Sequence, residues 1–345
     1  FIHQNMAGWR KQEDLKKKGI SVDLKWEDDT GKPQIAMSAM EKLATRDRVA
    51  GVVGPYTSAC ANAVSKLAGK YKVPLLVPAA AKEEITRQGN KWVYRLNAPA
   101  EVYASVLIDA MLALGKPRTI ALIYENTDFG TSTSTTAKAY AARKGIKVVA
   151  DESYSKGSPD YRSTLTKIKS KNPDLVFMVS YVADAILIMR QSREIGLQPK
   201  AFLGGGAGFT TAEFAREKVI SGNVFSSTQW TDDVNWPGAA DFGRRYKARF
   251  RKEPTYHAAC AYAAMMIMAE TATKNGGDRE KTRAGLKSGV WNGIMGQVRF
   301  ADYAGFTNQN NHQMLVQQLQ NGRYETVFPA MFATRKPVYP FPGWK

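Results

Sequence analysis

A short turn with two hydroxyl residues is the clearest candidate for chemistry in this sequence. Residues 54–58 read Gly-Pro-Tyr-Thr-Ser, after a β-branched run and before a helical pattern from Ala59. Thr57 or Ser58 would cap that helix, whose first N–H groups lack partners and carry the positive end of the helix dipole. A hydroxyl beside such groups binds an anion, most simply a carboxylate. An ordinary helix cap is the alternative.

A second turn of small residues follows the next predicted strand. Residues 79–81 are three consecutive alanines, and such short side chains let a ligand approach the backbone. The carboxyl ends of neighbouring parallel strands share one edge of a sheet, where open α/β sheets bind ligands. We therefore expect Ser58, Ala59, Ala79 and Ala81 to contribute to one ligand-binding site.

Few residues offer nucleophilic or metal chemistry, since the chain has three histidines and two cysteines. No G-x-S-x-G sequence lies near a histidine. Cys60 starts a predicted helix, where thiol pKa values fall, so an α/β-hydrolase-like enzyme using Cys60 is one alternative. We expect it buried against the sheet instead. His257 and Cys260 lie three residues apart on an Ala-rich stretch, which is typical of core packing. We expect no catalytic residue, no metal and no cofactor.

A glycine-rich stretch, Gly-Gly-Gly-Ala-Gly at residues 204–208, follows a predicted strand. It matches neither the P-loop pattern nor a G-x-G-x-x-G sequence that opens the first βα unit. The stretch predicts a loop whose backbone passes close to another group.

Strand-like runs alternate with helical ones, which predicts parallel strands joined by crossover helices, an α/β doubly wound fold. Three consecutive helices are expected between residues 239 and 289, and Asn321-Gly322 predicts a hairpin. Residues 1–19 read as a helix, so one strand and its loop are expected ahead of Phe1. The predicted strands are residues 21–27, 49–54, 73–78, 119–125, 146–154, 175–181, 200–205, 223–230, 294–300 and 314–327.

Composition limits the number of domains and the kinds of partner to consider. The chain has 345 residues, 44% of them apolar, and a formal charge of +18, which fits one large or two medium domains and raises the question of nucleic acid. The densest cationic run, residues 244–252, shares a helix with Phe242, Tyr246 and Phe250. Their four-residue spacing predicts a core-facing stripe rather than base-stacking aromatics, so we expect no nucleic-acid partner. The Pro-rich residues 336–345 are too apolar for a free tail and should pack along a surface.

A set of local sequences, in order and spacing, resembles one family. The resemblance is to type I periplasmic binding proteins, in the leucine/isoleucine/valine-binding branch that serves ABC importers, and it runs from Phe1 to about Asn321. The sequences are Trp26-Glu27-Asp28-Asp29, Gly51-Val52-Val53-Gly54-Pro55 with Ser58, Val73-Pro74-Leu75-Leu76 with Pro78-Ala79-Ala80, Asp128-Phe129-Gly130, Asp160-Tyr161, Asn172-Pro173-Asp174 and Ile195-Gly196-Leu197.

The resemblance implies two Rossmann-like lobes joined by three crossovers, with the leading strand of the family absent and the ligand cleft between the lobes. Lobe 1 would be residues 1–97 plus 232–309, and lobe 2 residues 98–231 plus 310–345. It implies a monomeric solute-binding protein, periplasmic or otherwise extracytoplasmic, free or lipid-anchored. Such a protein closes on its ligand and delivers it to an ABC permease in the inner membrane. A ligand-sensing receptor domain of the same fold is the alternative function.

The resemblance also assigns site residues. Ser58 and Ala79 occupy the places where members of this branch hold the ligand carboxylate. Tyr181 falls where they place an aromatic ring over the ligand. Two residues depart from the amino-acid-binding pattern: Ala81 replaces a hydroxyl residue, and Gly206 replaces the acid that pairs with the ligand ammonium.

The departure at Gly206 leaves two ligand classes open. A closed site that holds an ammonium without a counter-charge is strongly disfavoured. Either another acid such as Asp184 replaces it, and the ligand is a hydrophobic or branched-chain amino acid, or the ligand is an aromatic or other carboxylic acid without an amino group. Phe129, Phe209 and Trp230 are candidates for apolar walls of the site.

Overall fold

The computed structural model describes residue 19 and residues 21–344 of the chain. Apart from Gly19, the helix expected over residues 1–19 lies outside the described residues. Within them, no helix is both long enough and apolar enough to cross a bilayer.

The strands alternate with helices along most of the chain, as the periodicity predicts. The strands are β1 Val52–Val53, β2 Leu75–Val77, β3 Val93–Arg95, β4 Thr119–Glu125, β5 Lys147–Tyr154, β6 Leu175–Val179, β7 Ala201–Gly204, β8 Phe225–Thr228, β9 Val290–Gly293, β10 Gly296–Tyr303, β11 Phe306–Asn310, β12 Leu315–Gln320 and β13 Arg323–Phe328.

The α-helices share an amphipathic or largely buried pattern, and a 3₁₀ turn, Ala207–Thr210, follows β7. The helices are α1 Pro33–Thr45, α2 Ser58–Tyr71, α3 Glu84–Arg87, α4 Ala100–Leu114, α5 Asp128–Arg143, α6 Arg162–Ser170, α7 Val182–Glu194, α8 Ala212–Arg216, α9 Lys218–Ser221, α10 Ala239–Phe250, α11 Tyr256–Lys274 and α12 Arg279–Ser288.

The chain divides into two compact units. Unit 1 comprises Phe1–Pro99 and Trp236–Gln313, and unit 2 comprises Ala100–Asn235 and Met314–Lys345. The chain therefore passes from one unit to the other three times. Each unit has its own sheet and its own apolar core.

Unit 1 contains a six-stranded sheet in the order β1-β2-β3-β11-β10-β9. The first four of these strands are parallel, and β10 pairs antiparallel with β11 and β9. Helices α1 and α2 pack together beside the sheet. Their apolar cluster includes Met40, Cys60, Val64 and Leu75.

Unit 2 contains a seven-stranded sheet in the order β13-β12-β8-β7-β6-β4-β5. The five strands from β8 to β5 are parallel, and β12 pairs antiparallel with β8 and β13. Strand β6 is buried along its whole length, as expected for a parallel strand covered on both faces. The core cluster includes Ile123, Leu165, Ile188 and Phe202. The predicted α/β fold is confirmed in both units.

Most predicted strands appear with shifted ends, and one prediction is wrong. Residues 21–27 form no ladder with any described strand, and an extended segment becomes a strand only when a neighbour accepts its hydrogen bonds. Three strands, β3, β9 and β11, were not predicted. Strand β11 reads Phe-Thr-Asn-Gln-Asn, whose amides are typical of turns in sequence even though they are buried here.

Three smaller predictions are confirmed. The three helices α10, α11 and α12 follow one another before β9. Asn321 and Gly322 have φ of 50° and 79°, the left-handed pair that a type I′ hairpin needs. The C-terminal segment packs on unit 2: Phe341 and Trp344 each lie 5.3 Å from the ring of Phe202.

Gly208 provides a test of the packing beside α7. A Cβ at Gly208 would lie 2.5–2.7 Å from backbone atoms of Tyr181 and Val182, and backbone moves less easily than a side chain. Gly208→Ala should therefore lower the free energy of unfolding by about 1–3 kcal/mol, measured by urea denaturation. Gly222→Ala is the control, because a Cβ there meets only ordinary contact at 3.7 Å. Equal stability of the two variants would contradict this packing.

Candidate functional site

The hydroxyl of Ser58 joins the two turns expected to bind an anion. Ser58 is the first residue of α2, and the preceding Thr57 is its N-cap, accepting from the N–H of Cys60 at 3.4 Å. The Ser58 Oγ accepts hydrogen bonds from the N–H groups of Ala81 and Lys82, both at 3.2 Å. A hydroxyl that accepts twice keeps its proton to donate to an anion.

The carbonyl side of the second turn is fixed from within unit 1. Asn97 donates to the Ala79 oxygen at 2.8 Å. Arg95 donates to the oxygens of Ala81 and Lys82 at 2.9 and 2.6 Å. These contacts hold the turn in one conformation, with the N–H groups of Ala81 and Lys82 directed toward Ser58. Ser58, Ala79 and Ala81 are buried, and Ala59 is half-buried beside them on α2.

Aromatic rings meet in unit 2, near the start of α7. The ring of Phe129 lies 5.8 Å from that of Tyr181 and 6.2 Å from that of Tyr103. The ammonium of Lys156 lies 4.7 Å from the centre of the Tyr181 ring. The predicted residues Phe129 and Tyr181 are therefore neighbours, and Tyr103 joins them from α4.

The backbone and surroundings of Gly206 exclude an acidic side chain there. Gly206 has φ 76° and ψ −148°, a conformation open essentially to glycine alone. A Cβ at this position would lie 2.6 Å from Cε1 of Tyr103. The hydroxyl of Tyr103 is hydrogen-bonded to the side-chain amide of Gln229, and both residues are fully buried. An aromatic ring thus occupies the space that a side chain at position 206 would need.

The start of α5, which carries Phe129, is held by a buried acid. The carboxylate of Glu125 accepts from the N–H and hydroxyl of Thr127 at 2.6 and 2.8 Å and from the N–H of Gly130 at 2.8 Å. Burial raises the pKa of Glu125 above its ordinary value, against these hydrogen bonds, which favour the charged form. A Cβ at Gly130 would lie 1.9 Å from the Glu125 carbonyl oxygen, so glycine is required there.

Three other predicted residues are buried in unit 2. Phe209 has no exposed surface and packs in the core against Phe214, with ring centres 5.3 Å apart. Trp230 is also fully buried. The carboxylate of Asp184 is buried and accepts from the N–H of Gly157 at 3.2 Å. Phe209 and Trp230 are thus fully buried aromatics, and Asp184 lies in the first turn of α7, three residues after Tyr181.

The residues considered for catalysis are buried. Cys60 and Cys260 are free thiols without exposed surface, and Cys60 lies in the apolar cluster of unit 1, as expected. Burial raises the pKa of the Cys260 thiol and lowers the pKa of His257 to about 3. The imidazole of His257 shares hydrogen bonds with the hydroxyls of Tyr56 and Thr255 at 3.1 and 3.2 Å.

Among the residues that the structure describes, no cluster of three or more His, Cys, Asp or Glu side chains could hold a metal ion. On α10, the rings of Phe242, Tyr246 and Phe250 pack in series, 5.9 and 4.7 Å apart. Phe242 is buried and the other two are half-buried, so the stripe faces the protein as predicted.

Two residues of the site were not identified from the sequence. Tyr103 lies on α4 among apolar residues, where an aromatic side chain is typical of a core. Arg95 ends β3, and its signal was a single charge after Val93 and Tyr94. A charged residue inside a strand that short is unusual, because a buried guanidinium needs several acceptors.

Residues 9–323 match the family model described as periplasmic binding protein. The chain belongs to the periplasmic binding protein family. This match covers both units and every candidate residue described above, so the family predicted from the sequence is confirmed.

Individual proteins are similar to this periplasmic binding protein in sequence or in structure over nearly its full length. It is 29% identical over 339 residues to Leu/Ile/Val-binding protein homolog 8 of Brucella melitensis, covering 92% of this chain and 83% of that protein. A leucine-binding protein from Thermotoga maritima has a TM-score of 0.83 at 22% identity, covering 93% and 92% of the two chains. A solute-binding protein of an ABC transporter from R. palustris, in complex with benzoate, has a TM-score of 0.83 at 17% identity, covering 96% and 93%. These two structures confirm the type I periplasmic binding protein fold.

The buried imidazole predicts a specific loss of stability in acid. The folded pKa of His257 is about 3 and an unfolded histidine titrates near about 6.5. Below the unfolded pKa only the unfolded chain takes up the proton, so stability is lost as the pH falls toward 3. His257→Gln should remove this contribution to the pH dependence. Between pH 6.5 and 4.5 the free energy of unfolding should then fall by about 2 kcal/mol more for wild type than for the variant.

Urea denaturation at each pH measures this difference. Tyr56→Phe is the control, because it removes the hydroxyl partner of His257 and leaves the imidazole in place. Its stability should keep the wild-type pH dependence. If the free energy of unfolding changed with pH in the same way for wild type and His257→Gln, the result would contradict a neutral, buried imidazole.

Proposed function

We propose that the protein is the extracytoplasmic solute-binding component of an ABC importer and captures a small carboxylate. The observation that carries this proposal is the junction of Ser58 with the turn at Ala81 and Lys82. It combines a hydroxyl, backbone N–H groups and the N-terminus of a fourteen-residue helix, all of which favour an anion. Membership of the periplasmic binding protein family supports the same function.

Capture and release follow from two units that share one ligand. Units 1 and 2 are the proposed lobes: unit 1 holds the carboxylate, and the rings of Phe129 and Tyr181 in unit 2 cover the remainder of the ligand. The bound state favours lobe closure because only then does the ligand contact both units. A permease in the inner membrane recognises the closed form, and the binding protein works as a monomer.

The proposed ligand has no ammonium group. Gly206 and the ring of Tyr103 exclude an acidic side chain from position 206, and a desolvated ammonium requires a counter-charge. The carboxylate of Asp184 is engaged by the N–H of Gly157. The aromatic surroundings of Phe129 and Tyr181 suit a planar apolar ligand, so an aromatic carboxylic acid fits better than a branched-chain amino acid.

A ligand panel tests this proposal. Ligand-stripped protein is heated with L-leucine, L-isoleucine, benzoate or 4-hydroxybenzoate, each at several concentrations. A ligand at one hundred times its dissociation constant should add about 2.7 kcal/mol of stability, a visible rise in Tm. We expect a rise with the aromatic acids alone. A rise with leucine or isoleucine alone would overturn the ligand class, and a flat response to all four would count against carboxylate capture.

Ser58→Ala tests where the carboxylate binds. Loss of a buried donor to an anion should weaken binding of the stabilising acid by about 1–3 kcal/mol, measured by calorimetry. Ser65→Ala is the matched control, because Ser65 is a buried serine on the same helix that donates to the Asn62 oxygen at 2.7 Å. Equal affinity of wild type and Ser58→Ala would place the carboxylate elsewhere.

A further inference from the structure

We propose that Arg95, held in place by Gln309, is the positioning residue of the carboxylate site. It orients the N–H groups of Ala81 and Lys82, and it polarises the Lys82 N–H through the peptide group that this N–H shares with the Ala81 oxygen. This inference rests on the proposed function, because it assigns a role within the same site. Arg95 itself touches no proposed ligand atom.

The contacts of Arg95 fix its side chain in one orientation. Its Nη1 donates to the oxygens of Ala81 and Lys82, and its Nη2 donates to the hydroxyl of Thr86 at 2.7 Å. Its Nε donates to Oε1 of Gln309 at 2.5 Å. Since all of these acceptors lie within unit 1, the guanidinium connects the turn after β2, helix α3 and strand β11.

Gln309 is held as firmly as the arginine it supports. Its Nε2 donates to the carbonyl oxygens of Asn97 and Asn310 at 2.6 and 2.8 Å. Its Oε1 also accepts from the hydroxyl of Thr86 at 3.0 Å. Both the oxygen and the nitrogen of this side-chain amide are thus hydrogen-bonded, and Gln309 has no exposed surface. A side chain so constrained presents one fixed acceptor to Arg95.

A single peptide unit connects Arg95 to Ser58. The Ala81 oxygen that accepts from Arg95 and the Lys82 N–H that donates to Ser58 belong to the same peptide group. Donation to the oxygen of an amide polarises its N–H, so consecutive hydrogen bonds strengthen one another. Arg95 is fully buried, and a charge in a low-dielectric interior acts more strongly than one in water. The Lys82 N–H therefore donates more strongly to Ser58 Oγ, and this makes the Ser58 hydroxyl a stronger donor to an anion.

A purely structural Arg95 would join β3, α3 and β11 and have no preference for anions. The two roles differ in one measurable respect. A structural role predicts that substitution weakens charged and neutral ligands equally. A positioning role predicts that substitution weakens the carboxylate and spares a neutral analogue of the same shape.

The experiment compares Arg95→Met and Arg95→Lys with Arg87→Met. Arg87 is the matched control: it lies over the same Phe306 ring as Arg95, at 4.0 against 5.6 Å, and its guanidinium donates to Glu83 and to the Ala304 oxygen. Calorimetry measures binding of benzoate against benzamide and of L-leucine against L-leucinamide. Hydrogen exchange measures protection of the amides in residues 79–82.

Arg95→Met should weaken binding of the carboxylate by about 30-fold, as expected for lost charge-assisted hydrogen bonds. Binding of the amide analogue should weaken by less than about 3-fold. Arg95→Lys keeps the charge but loses the forked donors of the guanidinium. It should show a smaller loss of affinity, again greater for the carboxylate than for the amide. Arg87→Met should bind as wild type. Equal losses for carboxylate and amide, or no loss, would overturn the proposal. If Arg95→Met does not fold, Arg95→Lys decides by the same comparison.

Hydrogen exchange separates this proposal from the proposed function. If wild type binds neither carboxylate, the proposed ligand class fails, and protection of residues 79–82 then tests only whether Arg95 holds the turn in place. Faster exchange there by about tenfold or more in Arg95→Lys, with none in Arg87→Met, supports positioning of the turn. Unchanged exchange in that segment overturns it.

Discussion

A buried positive charge must be surrounded by oxygen atoms, and unit 1 is organised around this requirement at Arg95. Removing a guanidinium from water costs several kcal/mol unless its donors are satisfied. Strand β11 meets this need with the side-chain oxygen of Gln309, and the turn after β2 meets it with carbonyl oxygens. The geometry of the turn and the burial of the Gln309 amide are therefore coupled to one residue.

In the proposed function, unit 2 determines ligand preference by a different means, the exclusion of a side chain. Position 206 has a backbone conformation that only glycine adopts readily, and the ring of Tyr103 fills the adjacent space. Neither feature alone would suffice, because a strained acid or a shifted ring could restore a counter-charge. Together they link the chemistry of the ligand to a residue on a helix far away in the sequence.

The sequence predicted those parts of the fold that depend on local patterns. Strand β4 has the predicted bounds, because its apolar run is long and continuous. Strand β11 was missed because its buried amides are satisfied by partners distant in sequence, among them Arg95 and the carbonyl oxygens of Val93 and Leu96. Ser58 was identified as a candidate anion-binding residue from its place at the start of a predicted helix. Tyr103 was not, since only the tertiary structure brings its ring against Gly206.

The three passages between the units have a consequence for biosynthesis. Each sheet contains a pairing between strands from distant parts of the chain: β3 pairs with β11, and β8 pairs with β12. During synthesis the edge of β3 stays open until residues 306–310 emerge, and the edge of β8 stays open until residues 315–320 emerge, since loop closure must precede pairing. Open strand edges invite association with other chains. A nascent chain of this topology is therefore exposed to aggregation until β11 and β12 are made.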